Sequence, residues 1–109
     1  MYSFAQRDDT LVVDEPLYGH YLRISGAMHP GRDEILACME TDGERVVSEV
    51  ILGDFDEEVL FLKQMTHHFV ELDTSFLDEV INVFLIRNPY QLLGSFHQII
   101  QEVSMTDVG

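Results

Sequence analysis

His67 and His68 are adjacent, and Glu71 follows His67 by four residues, the spacing that puts two side chains on one face of a helix. An imidazole and a carboxylate so placed can share a metal ion, and two such ligands are half of a zinc site. A third and fourth would have to come from His20, His29 or Asp73, and the spacing matches neither HExxH nor a zinc finger. The plainer reading packs one histidine beside Phe69 and leaves the other in water.

The remaining candidates are less specific. Carboxylates cluster at Asp8-Asp9, Asp14-Glu15, Asp33-Glu34 and Asp56-Glu57-Glu58, without the glycine-centred alternation of a calcium loop, and read as a solvated acidic face. Cys38 has no base beside it in sequence and is expected to behave as a small hydrophobe. Tyr18 and Tyr21, with Tyr2 and Tyr90, have the area and polar tip of partner anchors, but most tyrosines of this kind edge a core. There is no GxGxxG, GxxxxGK or GxSxG, and the SGAMHPG stretch is too irregular to cradle a phosphate. On these grounds no cofactor is expected and the chain reads as non-enzymatic.

Charge narrows the partners. The 109 residues carry 6 Lys plus Arg against 20 Asp plus Glu, so 6 − 20 = −14 with neutral histidines. Lys63 is the single lysine, too little cation to displace counterions from nucleic acid or to adhere to an anionic membrane. A hydrophobic fraction of 46% separates the chain from acidic disordered tails. No basic start with an apolar run opens it, so the reading places it in the cytoplasm, where a lone cysteine is at home.

The acids are not evenly spread. Ten lie between Asp33 and Glu58, against Arg45 alone, whereas Arg87 is the only formal charge from Val80 to Gln101. Two surfaces follow: an acidic one built on Glu40, Asp42, Glu44, Glu49, Asp54, Asp56, Glu57 and Glu58, and an uncharged helix with the stripe Leu92, Leu93, Phe96, Ile99, Ile100 and Val103. The leading functional reading is a small binding protein whose acidic face engages a basic protein surface: a nuclease inhibitor, a toxin-neutralising immunity protein or a nucleic-acid mimic. The alternative is a homodimeric chaperone or adaptor that self-associates through the uncharged helix. A third is a small enzyme or metal-binding domain using His67, His68 and Glu71. Salt-adapted habitats also select many acids and few lysines, in which case the charge reports an environment.

The elements that must carry these residues are read as one α+β domain over 1–109, with flexible ends at 1–10 and 105–109. Asp42-Gly43 between apolar runs predicts a tight hairpin pairing 35–40 with 45–51, and Leu17 to Ser25 a further strand, giving a small antiparallel sheet of about three strands. Asp54 with Glu57 resembles a capping box and predicts a helix from Phe55 to about Glu71. Ser75 with Asp78 and Glu79 starts a second helix through Ile86, although 76–87 is apolar enough to be a buried strand. Asn88-Pro89 restarts a last helix of about 15 residues.

Overall fold

The structure, a computed structural model, describes residues 1–97. Five α-helices, two strands and short 3-10 turns follow in the order α1 (Tyr2–Ala5), β1 (Thr10–Asp14), α2 (Tyr18–Ser25), α3 (Arg32–Cys38), α4 (Gly43–Val46), β2 (Val59–Lys63) and α5 (Pro89–His97). A π-helical turn, Val47–Ile51, continues α4, and 3-10 turns occupy Thr66–Phe69 and Ser75–Glu79.

The architecture mixes helix and sheet, but the expected antiparallel sheet of three strands is replaced by a parallel pair. Thr10 stands opposite Val59 and Asp14 opposite Lys63. The strands that meet are Thr-Leu-Val-Val-Asp and Val-Leu-Phe-Leu-Lys, whose middles are uninterrupted apolar runs. Such runs suit parallel strands, because these are covered on both faces. Here Phe61 carries Phe4 stacked at 4.2 Å, while Leu62 packs against the main core.

Four further corrections follow, and the first three share one cause, namely local signals that tertiary packing overrides. Asp42-Gly43 is no hairpin: Asp42 is the N-cap of α4, its carboxylate accepting from the amides of Glu44 at 3.1 Å and Arg45 at 3.4 Å. The side chain that favours a turn also satisfies the free amides at a helix start. Leu17 to Ser25 is helical from Tyr18, because Leu17, Tyr21 and Leu22 must all be buried and Gly26, at φ 68°, can end the helix in the left-handed region. The helix expected from Phe55 to Glu71 is instead a bend, β2 and a 3-10 turn, since the run 59–62 finds β1 as a partner. The second expected helix shrinks to Ser75–Glu79, and residues 80–88 have no regular structure. Asn88-Pro89 restarts a helix as read, with Asn88 Oδ1 accepting from the Tyr90 amide at 2.9 Å.

Leu17, Val46, Ile51 and Phe76 form the buried core, flanked by Val47, Leu62, Phe69, Leu72, Leu77 and Val80. Phe69 meets Phe76 edge to face at 5.8 Å. That core fixes the turn after β2 against the start of α2.

Candidate functional site at the strand ends

Parallel strands end at the same edge of their sheet. The register therefore brings Asp14 and Glu15 beside Lys63: its ammonium lies 2.6 Å from Glu15 Oε1 and 3.4 Å from Asp14 Oδ1. The Glu15 amide also donates to the Lys63 carbonyl at 2.9 Å. Glu15 adopts φ 47°, a left-handed conformation that costs a side-chain-bearing residue about 1 kcal/mol and that turns the chain sharply into α2. The two carboxylates raise the pKa of Lys63, the Glu15 hydrogen bond most of all, so it is a firm cation at neutral pH.

From this edge α2 and the turn Thr66–Phe69 project a cluster of rings. Tyr18 stacks on His68 at 5.3 Å and Tyr21 on His68 at 4.9 Å. His67 meets Tyr21 edge-on at 5.0 Å and His68 at 4.7 Å. His29, from the loop after α2, shares a 2.8 Å hydrogen bond with the Tyr18 hydroxyl through Nδ1. His68 is only 2% exposed, and its Nδ1 has no hydrogen-bond partner among the described residues. Burial, then the neighbouring His67, lower its pKa to about 4, with Glu15 acting in the opposite sense. His68 is therefore a neutral imidazole at pH 7. Burial and the nearby Glu15 also hold the Tyr18 hydroxyl in its protonated form, its pKa raised.

Behind the cluster, His20 on α2 is 3% exposed and its Nε2–H donates to the Val70 carbonyl at 2.7 Å. A carbonyl only accepts, so Nε2 carries a proton, while the buried Nδ1 has no hydrogen-bond partner among the described residues. Gly43 lies over this ring, so close that a β-carbon there would stand 2.6 Å from Nδ1.

Of the residues singled out in sequence, His67 and His68 are brought together and His29 joins them. Glu71 is exposed at φ 48°, outside the 3-10 turn, so the helical face it was expected to share with His67 does not exist. Among the described residues no group of three or more His, Cys, Asp or Glu is placed to hold a metal ion. The acids divide by local duty: Glu40 and Glu49 pair with Arg45 at 3.7 and 3.1 Å, Asp42 caps α4, and Glu44 lies in its first turn. Asp54, Asp56 and Glu58 are exposed and Glu57 half-buried in the bend before β2. On α5, Leu92 is half-buried and Leu93 exposed; the Phe96 side chain, Ile99, Ile100 and Val103 lie outside what is described.

Glu15 is read from sequence only as part of a solvated acidic face and Lys63 only as a lone cation, although the sequence carries a signal for their meeting. The only lysine closes an unbroken apolar run four residues before a histidine pair, the pattern of a buried strand whose carboxyl end meets a site.

Fold and site together define an α/β unit of parallel strands with its titratable groups outside their carboxyl ends, where open α/β sheets place their ligands. The chain belongs to the sulfotransferase domain family, whose sequence pattern matches residues 1–109. It is also similar to two Arabidopsis thaliana proteins, branched-chain-amino-acid aminotransferase-like protein 2, at 43% identity, and branched-chain-amino-acid aminotransferase-like protein 1, at 42%. Each match covers 91% of this chain and 18% of the relative, so the chain spans about a fifth of their length. No solved structure matches it. Membership of an enzyme family overturns the non-enzymatic reading, and with it the acidic inhibitor, immunity protein and nucleic-acid mimic and the self-associating adaptor. No described helix is long and apolar enough to cross a membrane.

Proposed function

We propose that this chain carries the proton-accepting side of a sulfotransferase site, built on His67, His68 and Lys63. Transfer of a sulfo group joins an acceptor hydroxyl oxygen to the sulfur of an activated sulfate. The bond from sulfur to the leaving oxygen breaks, and the leaving group departs with that electron pair. The hydroxyl proton must go to a base. A neutral imidazole can take it, and a fixed ammonium can face the negative oxygens around sulfur. The observation that carries the reading is His68, buried, neutral and unpartnered at Nδ1, one turn beyond the strand that ends in Lys63.

The names of the two relatives suggest an aminotransferase as a second reading. Such chemistry asks a lysine to act as a free amine. Lys63 does not fit, because two carboxylates hold it as an ammonium ion. The single exposed thiol of Cys38 supports placing the chain in the cytoplasm.

The test is transfer of labelled sulfo groups from a phosphosulfate anhydride to phenol and alcohol acceptors by the 109-residue chain. Removing the accepting imidazole, in His67→Asn or His68→Asn, should lower kcat about 10²–10⁴-fold. Undiminished turnover in both variants, or no turnover in the unaltered chain, overturns the reading.

A further inference from the structure

We propose that His20 is a positioning residue that holds the turn Thr66–Phe69 against α2 and so sets where the His67 and His68 rings stand relative to Tyr18 and Tyr21. The inference rests on the functional reading above for its catalytic meaning, but its geometry is independent of it.

Four observations converge. His20 neighbours Tyr21 on α2, and its Nε2–H reaches across to the Val70 carbonyl, two residues beyond His68, at 2.7 Å. The chain turns immediately after that carbonyl, at Glu71 with φ 48°, so the hydrogen bond fixes the last point before a sharp change of direction. The ring is almost wholly buried, where a lost partner leaves a carbonyl unsatisfied rather than solvated. Finally, Gly43 lies over the ring so closely that a β-carbon there would stand 2.6 Å from Nδ1 and 2.7 Å from Cγ, so the ring is confined on that face and any larger residue would displace it. A phenylalanine of similar size would fill the space and make no bond, whereas the bond ties the two elements that supply the ring cluster.

The experiment reads the His68 ring by NMR between pH 7.5 and 5, with His20→Gln, His20→Asn and Gly43→Ala beside the unaltered chain. Glutamine can carry an N–H to the Val70 carbonyl; the shorter asparagine cannot. The groups facing His68 are His67, His29, Tyr18, Tyr21, Glu15 and Lys63, and all are retained. In the unaltered chain and in His20→Gln, His68 should stay neutral to pH 5. In His20→Asn, and to a smaller degree in Gly43→Ala, the turn should loosen, water should enter, and His68 should titrate with a midpoint at least one pH unit higher. A folded His20→Asn in which His68 still does not titrate overturns the inference. Should that variant fail to fold, Gly43→Ala decides on the same criterion, and an unchanged His68 there overturns it. Sulfo-transfer assays on the same proteins should show kcat falling at least tenfold in His20→Asn, with KM within twofold, and recovery in His20→Gln. If the unaltered chain transfers nothing, the functional reading fails while the titration still decides the role of His20.

Discussion

At the scale of single residues, His68 ties the site to stability. Its pKa is about 4 in the folded chain and 6.5 when free, so between these values the unfolded chain binds more protons. Stability contributed by the neutral, buried ring is therefore complete above pH 6.5 and lost as pH falls from 6.5 toward 4. The loss amounts to about 2–3 kcal/mol. Urea midpoints measured from pH 7.5 to 4.5 should fall, and His68→Leu, which cannot titrate, should remove that part of the slope; an identical slope in both proteins would contradict the assignment. The histidine pair was legible in the sequence because His67 and His68 are adjacent in it. Their partners were not, since Tyr18 and Glu15 lie about fifty positions away, and only the parallel register brings them to the same edge.

At the scale of elements, the run Ile81 to Ile86 stands apart from the rest of the chain. Ile81, Val83 and Leu85 are 96%, 89% and 92% exposed, in a segment with no regular structure. A strand-forming run that is apolar but for Asn82 and open to water favours association. Val83→Lys with Leu85→Lys should leave the melting temperature within about 2 °C, because neither side chain loses a packed neighbour. Light scattering at high concentration should show less association than in the unaltered chain. A large loss of melting temperature would mean that the run is packed in solution. This is also where reading elements from sequence met its limit. Helix starts were found correctly at Asn88, where the side chain caps and proline leaves no orphan amide. They were misread at Asp42 and Asp54, because an acid next to glycine or before other acids serves caps and turns alike. Only the partner strand decides between them.

At the scale of the whole molecule, the net charge of −14 is what remains after all six cations are set against the 20 acids, and some of those acids have local partners. Glu40 and Glu49 flank Arg45, and Asp14 and Glu15 hold Lys63. The excess of like charge is self-repelling, which disfavours the compact state until salt screens it. Raising sodium chloride from about 0.02 to 0.2 M shortens the screening length from roughly 20 Å to 7 Å. The melting temperature should therefore rise by several degrees over that range by calorimetry; a fall would show that the exposed ion pairs outweigh the repulsion. The parallel pairing of β1 with β2 has a different consequence, in time rather than in energy. During synthesis Leu11, Val12 and Val13 leave the ribosome with no strand to pair with until Lys63 has followed. At common elongation rates of about 5–20 residues per second, that wait lasts roughly 2–10 s. For that interval the nascent chain holds out an apolar strand edge, a natural point of engagement for a chaperone, and the site at the strand ends cannot assemble before it closes.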